Sequence, residues 1–301
     1  MASVIRTFQM RDGAELHFRH WQAPHPKGAV VLIHGIQSHS GWYENSCSHL
    51  SAAGYDVSFL DRRGSGLNKA SRGDVATCRR DDSNEYADVQ YTAMYYPGRM
   101  GFADDLDEFV DDVRRRHPGL PVHLVAISWG AKLAVASCIR RPDLADSLLL
   151  MNPGLVSRVD LSFADKLRTA LALVTRPARL FDVPLGDARL FTDNPERIAF
   201  IKQDPLALRK VTARFLYHSR WLDRFVRWSA EGLRVPVLMM ISGRDRIVDN
   251  DGSRKLFERF ASRPKEVILY ETAAHTLEFE PDPKPFFADM VRWLDARSEH
   301  G

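Results

Sequence analysis

The sequence predicts an α/β fold: a mostly parallel central sheet with helices on both faces and an antiparallel hairpin at its N-terminal edge. Three observations carry the prediction. Runs rich in Val, Ile and Leu alternate with stretches that are apolar at helical spacing as far as about Asn152. One run, residues 120–125, passes into the helix-patterned residues 131–139 with only Ala126-Ile127-Ser128-Trp129-Gly130 between them. The alternation stops after Asn152 and resumes with a strand at residues 235–242, so an insertion separates two strands of one sheet.

In chain order, residues 5–21 read as a hairpin broken by Arg11-Asp12-Gly13-Ala14. Residues 29–33 form an apolar strand followed by the loop His34-Gly35-Ile36-Gln37-Ser38-His39-Ser40-Gly41-Trp42-Tyr43. The next strand ends in Asp61-Arg62-Arg63-Gly64-Ser65-Gly66. Residues 75–101, rich in Arg, Asp and Tyr with weak periodicity, read as an atypical inserted loop before the helix that begins at Phe102. Residues 153–234 read as a helical cap, which makes residues 1–152 and 235–301 the catalytic core. The cap's stretch 163–174 has an apolar stripe, expected to pack onto the core, with contact to a membrane surface as the alternative. A strand at 266–270 and a helix at 252–260, with Asp251 as its N-cap, complete the reading.

The strand-to-helix junction carries the chemistry. Small residues, Ala126 and Gly130, stand two positions to either side of Ser128 because a larger side chain there would collide across so tight a turn, and the hydroxyl is pushed out over a helix N-terminus. Ala126-x-Ser128-x-Gly130 resembles the nucleophile elbow of the α/β-hydrolase fold, with Ala126 in place of the usual first glycine. A serine there needs a base, and the base needs a carboxylate to hold its tautomer. In this fold the acid and then the histidine follow the serine along the chain. Asp245 lies just past the strand at 235–242, and His275 lies past the strand at 266–270. Ligand-facing groups sit at such strand ends in open sheets. Asp245 is also ordinary turn chemistry, with Asp249 and Asp251 as neighbours; it is the joint order of the three residues that favours a triad. The expected oxyanion donors are the backbone N–H groups of Ile36 and Trp129, with Gly35 leaving room for a substrate oxygen.

The loop His34-Gly35-x-x-x-His39-Ser40-Gly41-x-Tyr43 is similar to the opening of the monoacylglycerol lipase and lysophospholipase group of α/β-hydrolases, which shares the serine aminopeptidase S33-type domain. The turn 61–68, the helix start 102–110, Asp204-Pro205-Leu206 and the loop from Tyr270 through His275 to Glu278 resemble that group as well. The resemblance implies a cofactor-free, metal-free carboxylic-ester hydrolase acting on lipids with one acyl chain. Alternatives are an aminopeptidase or short-chain esterase of the same fold, or a ligand-binding relative without the chemistry.

Composition fits such a protein. A chain of 301 residues, 45% hydrophobic, can bury a large core, and a net charge of +3 is too small to argue for nucleic acid as a partner, so none is expected. Fifteen basic and nine acidic side chains between residues 155 and 234 make the cap positive, a surface suited to anionic lipid or a phosphate head group. Cys47, Cys78 and Cys138 have no metal spacing and read as reduced thiols. The N-terminus lacks the pattern of a signal peptide, and the expected location is cytoplasmic, with peripheral membrane contact through the cap as an option.

Overall fold

A computed structural model of the chain describes residues 2–69, 75–76 and 101–298. Its eight-stranded sheet has the order β1-β2-β4-β3-β6-β7-β10-β11. The strands are β1 (Val4–Gln9), β2 (Glu15–Trp21), β3 (Gly28–Ile33), β4 (Tyr55–Leu60), β6 (Val122–Ile127), β7 (Ser147–Met151), β10 (Val237–Ser242) and β11 (Lys265–Tyr270). β1 and β2 form the predicted antiparallel hairpin, and β2 also pairs antiparallel with β4. From β4 to β11 all pairings are parallel. The inner strands β3, β4, β6, β7 and β10 are buried along their whole length. That is why β3, β6, β7 and β10 read as nearly continuous apolar runs, whereas β4 carries Asp56 and Ser58 between its apolar residues.

Helices α1 (Glu44–Ala52), α2 (Phe102–Arg116), α3 (Gly130–Arg140), α7 (Asn250–Glu258) and α8 (Lys284–Ser298) connect or flank these strands. α7 begins earlier than the sequence suggested. Its N-cap is Asp249, whose carbonyl accepts Ser253 N–H, and Asp251 falls in the first turn. The chain leaves β3 for β4 on one side, whereas β6 leads away through β7 and β10 on the other. β3 and β6 therefore flank the point where strand order reverses, and the crevice at their carboxyl ends is where open α/β sheets bind ligands.

Residues 153–234 hold α4 (Phe163–Thr175), α5 (Pro195–Gln203) and α6 (Ala213–Trp228) between β7 and β10. The segment is not wholly helical. Short strands β8 (Leu180–Asp182) and β9 (Lys210–Thr212) pair antiparallel, and β5 (Val75–Ala76) pairs parallel with β9. Except for β5 and Gly101, the predicted 75–101 loop, with Cys78, lies outside the described residues. Cys47 and Cys138 are buried free thiols.

α4 departs from expectation. Its stripe does not pack on the core: Phe163, Leu167, Leu171 and Val174 are 83, 65, 64 and 85% exposed. The opposite face, through Ala172, packs with Phe181 and Ala213. Ser162 starts the helix by accepting Asp165 N–H, so the segment is a capped helix that leaves its larger apolar side uncovered. No helix among the described residues is long and apolar enough to cross a membrane.

Candidate active site

The turn from β6 to α3 sets the serine. Ser128 has a φ of 51°, a left-handed conformation rarely tolerated outside glycine. It is held there by Ser128 N–H donating to Met151 O at 2.9 Å and Gly154 N–H donating to Ser128 O at 2.8 Å. Gly130 is required by contact with β3's end, since a Cβ there would stand 2.5 Å from the His34 carbonyl oxygen and 2.9 Å from that of Ile33. The helix N-terminus is thereby pressed against the end of β3, beside the serine.

Asp245 and His275 meet Ser128 over this crevice. Ser128 Oγ donates to His275 Nε2 at 3.0 Å, and His275 Nδ1–H donates to Asp245 Oδ2 at 2.7 Å. Asp245 Oδ1 accepts Ile247 N–H at 2.8 Å and Val248 N–H at 2.9 Å. The aspartate is thus a turn residue through one oxygen and the histidine's partner through the other. Burial alone would raise the Asp245 pKa, but the facing imidazole and the two backbone N–H groups outweigh it and hold the carboxyl below its ordinary range. Asp249 and Asp251, the neighbouring alternatives, make no bond to His275.

The histidine loop is fixed from three sides. Asn152 Nδ2–H donates to His275 O and to Ser242 Oγ, and Thr276 N–H donates to Phe191 O at 2.8 Å. Glu278 reaches across to the start of α1, accepting Asn45 N–H at 2.9 Å and bonds from Ser46 N–H and Oγ. Burial outweighs those donors and pushes the Glu278 pKa up to about 7.

Ile36 and Trp129 line the same cavity as Ser128, a space of about 560 Å3. Among the described residues neither backbone N–H donates to another group. The cavity runs past Leu173, Leu185 and Leu216, between α4 and α6. Its lining also carries the ion pair of Lys132 and Asp223, joining α3 to α6, and Arg224. Trp129 Nε1–H donates to Ser219 Oγ at 2.9 Å, a second tie to α6. A largely apolar cavity with charged side chains in its lining and a histidine-bonded hydroxyl at its edge suits attack on a carbonyl attached to an apolar chain.

The loop that follows Ile36 is tied to the 153–234 segment as well. Asp204 Oδ2 accepts His39 Nε2–H at 2.9 Å and Trp42 Nε1–H at 2.6 Å, and Leu208 N–H donates to Gln37 O at 2.9 Å. The sequence marked Asp204 and His39 by resemblance alone; that they touch each other is a fact of the fold. Asn152 had no sequence signal at all. Among the described residues, no grouping of His, Cys, Asp and Glu could hold a metal ion.

The family model of serine aminopeptidase, S33, matches residues 24–282. The chain belongs to the serine aminopeptidase S33 family. Within it the chain is similar to a monoacylglycerol lipase of Mycolicibacterium smegmatis, 26% identical over 277 residues that cover 89% of this chain and 88% of that one. It is also similar to the human monoglyceride lipase, 25% identical over 292 residues, covering 95% and 89%. A soluble variant of the Saccharomyces cerevisiae monoglyceride lipase, solved with a substrate analogue, superposes with a TM-score of 0.80 at 21% identity, covering 99% of this chain and 96% of that one. This S33 member is therefore an α/β-hydrolase of the monoacylglycerol-lipase-like group, and its relatives put it among carboxylic-ester hydrolases.

Proposed function

We propose that this S33 member is a serine esterase that cleaves lipids with a single acyl chain, monoacylglycerol or lysophospholipid. The observation that carries the reading is the relay Ser128–His275–Asp245 at the floor of a largely apolar cavity. His275 takes the Ser128 proton as Oγ attacks the ester carbonyl, while Asp245 fixes the ring and balances the imidazolium. The oxyanion is received by the Ile36 and Trp129 N–H groups. His275 then protonates the departing alcohol, and the acyl-enzyme is released by water activated through the same imidazole.

Residues 153–234 act as a cap on a core of residues 1–152 and 235–301, the 75–101 stretch being an insertion in that core. The exposed stripe of α4 lies on the helix that also lines the cavity through Thr169, Ala170 and Leu173. That arrangement supports contact of the cap with a lipid surface, and the cap's surplus of basic residues favours an anionic one. Buried free Cys47 and Cys138 fit a reducing, cytoplasmic setting with peripheral membrane contact.

The test is a comparison of kcat/KM across monoacylglycerols, lysophospholipids, short-chain nitrophenyl esters and prolyl amides. The proposal expects long single-chain esters to lead, with amides at background. A preference for prolyl amides would make the protein an aminopeptidase. A rate that falls with chain length would make it a short-chain esterase.

A further inference from the structure

The planar trans peptide joining Gly35 to Ile36 holds its carbonyl and its N–H in opposite directions, so whatever fixes the Gly35 oxygen also aims the Ile36 N–H. Two donors fix that oxygen. Arg62 Nη2–H reaches it at 2.8 Å, and His34 Nδ1–H does so at 2.8 Å. Arg62 Nη2 also donates to Ile36 O at 2.9 Å, so one guanidinium nitrogen grips the carbonyls on both sides of the Ile36 Cα. The Arg62 backbone sets the tautomer of the second donor, because Arg62 N–H donates into His34 Nε2 at 3.0 Å and leaves the ring proton on Nδ1. Burial, with the Arg62 charge beside it, keeps the His34 pKa well below the usual imidazole range, consistent with that neutral form.

The same guanidinium lies 4.8 Å from the centre of the Trp129 ring. It therefore touches both residues whose N–H groups the esterase reading assigns to the oxyanion. Arg62 is 2% exposed, so its charge acts in a medium where it is weakly screened. A cation on a carbonyl oxygen withdraws electron density through the amide and makes the attached N–H a stronger donor. Gly35 brings this peptide close to the serine, since a Cβ there would stand 3.1 Å from Ser128 Cβ.

We propose that Arg62 is a positioning residue of the oxyanion hole, which through the Gly35 carbonyl aims and strengthens the Ile36 N–H toward the oxygen that becomes negative during attack by Ser128. The inference rests on the serine-esterase reading above and adds to it the group that preorganises one donor.

Arg62→Met and Arg62→Lys test it on a soluble nitrophenyl ester, with kcat and KM read separately. A second readout is the Ki of a trifluoromethyl ketone, whose serine adduct is itself a tetrahedral oxyanion. Arg62→Met is expected to lower kcat by about 10- to 100-fold, a share of what removing an oxyanion donor costs, with KM within about threefold. Ki should rise by the factor by which kcat/KM falls. Arg62→Lys, which keeps the charge without the planar fork, is expected to fall between Arg62→Met and the unaltered protein. A kcat within threefold in both variants, or a loss confined to KM, overturns the proposal. Failure of both variants to fold overturns it too, and assigns Arg62 to the scaffold. If the unaltered protein neither hydrolyses the ester nor binds the ketone, the esterase reading itself has failed; if it does both and Arg62 is indifferent, only this inference has.

Discussion

Asp245 divides its carboxylate between fold and chemistry, and the division makes a sharp prediction. Oδ1 is committed to two backbone N–H groups, and only Oδ2 faces His275. In Asp245→Asn the amide oxygen has to keep the backbone donors, which turns the NH2 group toward His275 Nδ1. The imidazole is then driven to carry its proton on Nε2, pointing at Ser128, where it cannot act as a base. Turnover is expected to fall by about 10,000-fold with the thermal midpoint nearly unchanged; a loss under tenfold in steady-state kinetics would deny Asp245 its part. Ser128, Asp245 and His275 were legible in the sequence because each stands where a strand pattern stops, and small residues mark the elbow. Asn152, the Lys132–Asp223 pair and the grip of Arg62 on Gly35 were not. Each joins residues distant in the chain or in different elements, and no local pattern says which of Arg62 and Arg63, both buried, reaches the Gly35 carbonyl and which pairs with Asp105.

At the scale of elements, the histidine loop depends on α1. The Glu278 carboxylate lies at that helix's N-terminus, where free N–H groups and the dipole favour negative charge, yet burial raises its pKa to about 7. A carboxyl whose folded pKa lies above its unfolded value binds more protons in the folded state. Its stabilising contribution is therefore complete below about pH 4.5 and is lost as pH rises to about 7. Glu278→Gln cannot ionise and is expected to flatten that slope, which spans roughly 3 kcal/mol at most. Urea denaturation at pH 5 and pH 7.5 measures it; equal slopes in both proteins would mean that Glu278 titrates normally. The buried parallel strands were readable from apolar runs, and their ends shifted by at most two residues. The start of α7 was not read correctly, because Asp249 and Asp251 are both good caps and only the fold's bond from Ser253 to Asp249 separates them.

For the molecule as a whole, strand order places the crevice, and side chains of the 153–234 segment line the cavity at Ser128. Helical periodicity revealed the α4 stripe, but which surface covers a stripe is decided by tertiary packing, and here Phe163, Leu167, Leu171 and Val174 are left bare. The pair Leu167→Asp and Leu171→Asp should therefore cost little stability, within about 0.5 kcal/mol per site. Cosedimentation with anionic phospholipid vesicles should drop at least tenfold, while hydrolysis of a soluble short-chain ester is unchanged. Full vesicle binding by the double variant would mean the stripe is not the docking face. The short sheet β8–β9 was unforeseen because three-residue strands carry too little pattern to stand out from loop.

The relay of Ser128, His275 and Asp245 is tested most directly by identifying the atom that reacts. Incubation with a fluorophosphonate probe, followed by peptide mass mapping, should place a single adduct on Ser128 and abolish ester hydrolysis in step with labelling. Ser128→Ala should take up no probe and lose at least about 10,000-fold in turnover. An adduct on another residue, or a Ser128→Ala protein that still turns over ester, would contradict the account.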